Sequence, residues 1–161
     1  MKKLILASSS IHRKRLLKQL KLRFSVIKPN IDESRKKGEA VDKFVKRLSY
    51  EKAMKVAENN KDSIIIGSDE VAVIGTKILG KPITVSNAKN QLKLISGKKV
   101  IFKTGLCVIS LSQKKIYRSI TNYSIKMKKL SDDQINDYIK KEDMLNCASS
   151  IRIEGLAINL I

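Results

Sequence analysis

The sequence predicts an α/β protein, and three observations predict it. Ser63-Ile64-Ile65-Ile66-Gly67 reads as a short strand buried on both faces, the pattern of an interior strand. From Lys3 to Asn59, short apolar runs alternate with segments of helical period. Val100 to Leu111 and Ile116 to Met127 then alternate as two long antiparallel strands joined across Ser112-Gln113-Lys114.

With 161 residues the chain is one domain's worth, able to bury a real core. No apolar run approaches the length of a membrane span, and Leu4-Ile5-Leu6-Ala7 is too short for a secretory signal. Cys107 and Cys147 match no metal or redox spacing, so both are expected reduced, in a cytoplasmic protein without a membrane partner. A net charge of +19 invites a nucleic-acid reading. Against it, lysines dominate and recur along every segment, as on a solvated surface. Arginine, which suits bidentate contacts, is confined to Arg13, Arg15, Arg23, Arg35, Arg47, Arg118 and Arg152. No specific nucleic acid is therefore expected; a polyphosphate anion is compatible with the charge.

In order, residues 3–7 form a strand closed by Ser8-Ser9-Ser10, and Ile11 to Leu20 a helix capped by Ser8 or Ser10. A strand, a serine turn and a helix N-terminus make a ready phosphate site, with Arg13 on the first turn. Phe24 to Ile27 is a second strand. A polar loop carrying Asp32 and Glu33 leads to a long helix from about Val41 to Asn59, on which Lys52 by itself reads as a solvated lysine. The central strand delivers Asp69 and Glu70 at its carboxyl end, where α/β folds gather ligands; the plain alternative is a polar turn. Val71-Ala72-Val73-Ile74 continues as extended chain and turns at Gly75-Thr76, and Gly80-Lys81-Pro82 holds a lysine in a tight segment. Ser86 caps a helix running to Ile95 and ended by Ser96-Gly97. Ser131-Asp132-Asp133 opens another, reaching about Lys141. Asn146 to Ser150 is a small-residue loop.

These pieces, Leu4 to Arg13, Ile31-Asp32-Glu33, Glu51-Lys52-Ala53, Ile66-Gly67-Ser68-Asp69, Gly80-Lys81-Pro82, Ser96-Gly97, Thr104-Gly105, Asn146 to Ser150 and Ile153 to Leu156, resemble the Maf-like nucleoside triphosphate pyrophosphatases in order and spacing. Gly67-Ser68-Asp69 with the Cys147-Ala148-Ser149-Ser150 and Glu154-Gly155-Leu156 segments is most similar to the 7-methyl-GTP branch. The resemblance implies a single mixed α/β domain over residues 1–161, with a twisted sheet flanked by helices and a deep nucleotide cleft (Maf/ITPase-like). It also implies that the chain lacks the C-terminal Gly-Leu-Pro segment and closing helix usual in the family.

The implied reaction is hydrolysis between the α and β phosphates, giving a monophosphate and pyrophosphate. A divalent cation (magnesium, manganese or cobalt) is the implied cofactor. Ser8, Ser10, Arg13, Lys52 and Lys81 would bind phosphate, matching what a tetra-anionic triphosphate needs. Glu33 and Asp69 would offer the metal hard oxygen ligands. Asp69 is implied as proton acceptor, though a carboxylate there serves equally as a metal ligand. His12, Glu70 and Glu154 would set base preference. An acid near the base suits 7-methylguanine, whose ring is cationic and whose N1–H and exocyclic amine donate hydrogen bonds. His12 replaces the branch's usual tryptophan and Glu70 its glutamine; Ile11, Lys14 and Ser149 are further departures. The alternative is a degenerate member binding nucleotide or RNA through its basic surface. A homodimer is left open.

Overall fold

The computed structural model describes residues 2–161. In chain order it contains β1 (Leu4–Ala7), α1 (Ile11–Gln19), β2 (Ser25–Ile27), α2 (Val41–Ala57), β3 (Ile64–Ile74) and β4 (Lys77–Leu79). These are followed by α3 (Val85–Ile95), β5 (Lys99–Ser110), β6 (Lys115–Lys126), α4 (Asp132–Lys141) and two short 3-10 turns, Ala148–Ser150 and Leu156–Leu160. The sheet is mixed, in the order β2-β1-β3-β5-β6, with β4 beside β3. β1 runs parallel to β2 and to β3, pairing Ala7 with Gly67 at its end, while β4 is antiparallel to β3. The α/β class read from the sequence is therefore the architecture observed.

The chain divides into two compact units: residues up to Asp69 with Thr104–Thr121, and Glu70–Lys103 with Asn122–Ile161. In the first, Ala53, Val56 and Ala57 of α2 pack with Ile5, Ala7, Ile65, Cys107 and Ile109. Strand residues two apart share a face, so this set is one side of β1, β3 and β5. In the second, α3 contributes Ala88, Leu92 and Ile95 and α4 contributes Ile135 and Tyr138. They pack with Val100, Phe102, Ile125, Met127, Met144, Ile151, Ala157 and Leu160. Among the described residues no helix is long and apolar enough to cross a membrane.

Three local readings need correction. Asp69 and Glu70 do not end a strand, because β3 continues through both to Ile74. Parallel pairing with β1 stops at Gly67, but Ala72, Val73 and Ile74 then pair with β4, which keeps the backbone extended. The N-cap of α3 is Thr84 and not Ser86: its hydroxyl accepts the Asn87 N–H at 3.2 Å. α2 stops at Ala57, two residues short of the expected end. Elsewhere the caps are as read. α4 carries a capping box between Ser131 and Gln134, with Asp132 and Asp133 in its first turn.

Candidate active site

Lys52 lies on the buried side of α2, 4% exposed. A charged ammonium at that depth requires compensation, since burying an unpaired charge costs several kcal/mol or more. Two carboxylates supply it: Asp69 Oδ1 at 2.6 Å and Glu33 Oε2 at 2.8 Å from Lys52 Nζ. The solvated lysine that periodicity alone suggests is thus the hub of the site.

Gly67 explains how Asp69 reaches it. Residues 67 and 69 share a face of β3. A Cβ on Gly67 would stand 2.2 Å from the Ser49 carbonyl oxygen and 2.7 Å from the Ala53 nitrogen. On β5, a Cβ on Gly105 would stand 2.3 Å from the Val45 carbonyl oxygen. Both glycines let α2 lie directly on the strands, so that a lysine on its inner face meets a buried aspartate one pleat beyond Gly67.

Glu33 comes from the loop before α2, and its side chain is largely exposed. Asp32 turns this loop, accepting the Ser34 N–H and hydroxyl at 2.8 Å each; those bonds hold its carboxyl below the usual carboxylate range. Arg47 of α2 anchors the loop. Its Nε and Nη2 grip Glu39 at 2.7 and 2.8 Å, Nη2 reaches the Ser34 carbonyl at 3.0 Å, and Nη1 pairs with Glu51 at 2.9 Å. The Arg47 guanidinium holds the Glu39 carboxyl down, to about 2. Sequence reading missed this anchor. The one signal available was the Arg47/Glu51 spacing of four on a helix, which by itself reads as a surface ion pair.

The serine turn is tied into the start of α1 by its own side chains. Ser8 Oγ accepts the Ser10 N–H at 3.1 Å, and Ser10 caps α1 through the Arg13 N–H at 3.4 Å. His12 and Arg13 are half-buried on the first turn of α1. The first unit thus brings Glu33, Lys52 and Asp69 into contact and carries Ser8, Ser10, His12 and Arg13. Glu70, Lys81 and Glu154, all exposed, belong to the second unit.

The donor set fits a divalent cation. Two carboxylate oxygens converge on one nitrogen, and Glu33 and Asp69 are the hard oxygen donors that would hold magnesium or manganese. Among the described residues there is no group of three or more His, Cys, Asp or Glu placed to hold a metal ion, so the candidate protein ligands are these two carboxylates.

The family model described as "Maf-like protein" matches residues 3–161. The chain belongs to the Maf-like family. Its relatives include proteins named 7-methyl-GTP pyrophosphatase. One from Methylobacillus flagellatus is 46% identical over 158 residues, covering 98% of this chain and 82% of that protein. One from Colwellia psychrerythraea is 42% identical over 160 residues, covering 99% and 80%. One from Pseudomonas aeruginosa is 41% identical over 157 residues, covering 98% and 82%. Among solved structures, the Staphylococcus aureus Ham1 protein aligns with a TM-score of 0.55 over 80% of this chain and 73% of that one. At 12% identity that likeness speaks to fold alone.

Proposed function

We propose that this Maf-like protein hydrolyses the α–β phosphoanhydride of 7-methyl-GTP, releasing the nucleoside monophosphate and pyrophosphate. The observation that carries the reading is the buried Lys52–Asp69 pair with the exposed Glu33 carboxylate on the same ammonium, a charge pair too costly to keep inside the fold for packing alone. The names of the relatives supply the substrate.

In this reading the serine turn and the α1 N-terminus receive phosphate oxygens through backbone N–H groups, with Arg13 beside them. Lys52 leaves its carboxylate partners to neutralise phosphate charge, which holds the scissile bond in place. Asp69 takes the proton of the attacking water as the bond to the leaving pyrophosphate breaks. Glu33 and Asp69 are the residues that would hold a divalent cation. That cation supplies the positive charge that lets carboxylates and a tetra-anionic triphosphate share one site. The resemblance assigns Lys81 to phosphate, and His12, Glu70 and Glu154 to base preference.

The deciding experiment is pyrophosphate release from a panel of nucleoside triphosphates, with and without manganese. Release from 7-methyl-GTP above the common four, abolished by EDTA, is expected. Full turnover in excess EDTA would overturn the metal assignment, and nucleotide binding without any turnover would favour the degenerate reading.

A further inference from the structure

Gly80-Lys81-Pro82 and the turn around Glu154 are far apart in sequence, and within the second unit one unbroken chain of hydrogen bonds joins them. The Gly80 carbonyl accepts two donors, the Ser149 N–H at 3.1 Å and Gln91 Nε2 at 3.2 Å. Gln91 Oε1 in turn accepts the Ser150 hydroxyl at 2.7 Å. The Ser150 carbonyl accepts the Tyr138 phenol at 3.1 Å, and that phenol oxygen accepts the Arg152 N–H at 3.2 Å. Arg152 Nη1 pairs with Glu142 Oε1 at 2.5 Å, and Glu142 Oε2 accepts the Leu156 N–H at 2.7 Å. Glu154 sits in sequence between Arg152 and Leu156.

The chain is more than incidental. Ser149 and Ser150 are wholly buried, with φ of 54° and 61°, a region that strains a non-glycine residue and persists only where the surroundings hold it. What holds them is this network. Glu142 is a buried carboxylate, and a Cβ on Gly155 would stand 2.1 Å from its Oε2, so the turn is closed onto that carboxylate and a side chain there would have to displace it. On the other side, Asn87 Nδ2 donates to the Pro82 carbonyl at 3.1 Å, so the Lys81 turn is held on both flanks from α3. Lys81 and Glu154 remain exposed at the two ends.

We propose that Gln91 and Tyr138 are positioning residues that lock the Lys81 turn and the Glu154 turn into one fixed spacing, so that phosphate grip and base choice are set together. This rests on the roles given to Lys81 and Glu154 above. Gln91 is the key link, because its single amide donates to one turn and accepts from the other.

Three variants test it. Gln91→Leu removes both bonds at a half-buried helix position, Gln91→Glu keeps the acceptor for Ser150 but loses the donor to Gly80, and Tyr138→Phe breaks the link from the far side while keeping the ring. In hydrogen exchange, Gln91→Leu and Tyr138→Phe should each speed exchange at the amides of Lys81 and Ile83 and at those of Ser149 to Leu156. Acceleration confined to the turn nearest the substitution overturns the proposal. This readout needs no turnover, so it stands even if no nucleotide is hydrolysed and the functional reading fails. With an active enzyme, Gln91→Leu should raise KM roughly five- to twentyfold with kcat nearly unchanged, the scale of two lost hydrogen bonds. It should also narrow the preference between 7-methyl-GTP and GTP, and Gln91→Glu should recover part of both. In a Lys81→Ala background the KM effect of Gln91→Leu should shrink to the part carried by the Glu154 turn; full additivity there would overturn the claim that Gln91 acts through Lys81.

Discussion

Lys52 illustrates what a single residue's surroundings decide. Taken with its own helix alone it reads as a solvated lysine; Asp69 from β3 and Glu33 from a loop are what pair it as a buried cation. Neither partner is within helical reach in sequence, which is why the residue's own segment gave no sign of burial. Asp69→Asn keeps the shape and removes the charge. Turnover should fall by roughly a hundredfold or more, the usual scale for a lost general base, while nucleotide affinity changes far less. Parent-like turnover in that variant would remove Asp69 from the mechanism. The two thiols give a second residue-scale expectation. Burial, then the nearby Glu154 carboxylate, pushes the Cys147 thiol up to about 11, and burial likewise raises Cys107. Thiolate being the reactive form, the native protein should react slowly with a disulfide reagent near pH 8 and yield both thiols only on unfolding. Rapid modification of one equivalent in the folded protein would contradict this.

Elements, more than residues, are where the sequence spoke clearly. The period-two run of β5, the serine cap of α1 and the opening of α4 at Ser131-Asp132-Asp133 each carry a local physical signal and appear as read. The boundaries that moved depend on distant partners. The extended run from Val71 to Ile74 was legible, but not that it continues the same strand through Asp69 and Glu70, which the pairing with β4 supports. Closeness of α2 to the sheet was legible only as two glycines in motifs, without their reason. Gly67→Ala and Gly105→Ala should each destabilise by about 2 kcal/mol or more, since the obstructing atoms are helix backbone and cannot swing aside. Urea denaturation measures it, and an unchanged midpoint in both would mean the helix can shift freely. The loop carrying Glu33 gives a pH expectation. Glu39, held down to about 2 by Arg47, has a folded pKa below its ordinary value. Its contribution is therefore present in full above about 4.5 and is lost as pH falls from there toward about 2. Thermal melts of Glu39→Gln against the parent should converge as pH drops through that window; a constant gap would place the stabilisation elsewhere.

At the scale of the whole molecule the dominant feature is charge, with 34 lysines and arginines against 15 acids. Such a surplus attracts any polyanion, but selective recognition needs groups free to make oriented, bidentate contacts. The arginines best suited to that are largely engaged within the protein. Arg47 grips Glu39 and Glu51, Arg152 pairs with Glu142, Arg35 donates to the Glu39 carbonyl, and Arg118 lies 3.8 Å from the Tyr50 ring centroid. What remains on the surface is mostly lysine, a strongly hydrated point charge that meets phosphate without reading sequence. Duplex DNA and RNA should accordingly bind weakly and alike for unrelated sequences. For about six phosphate contacts, counterion release predicts a loss of affinity on the order of a thousandfold between about 50 and 200 mM salt. Fluorescence anisotropy with two unrelated duplexes across that range measures both properties. Tight binding to one duplex and not the other at physiological salt would mean that the basic surface is a recognition surface, and would move the weight of the function from the buried Lys52 cluster to the nucleic acid.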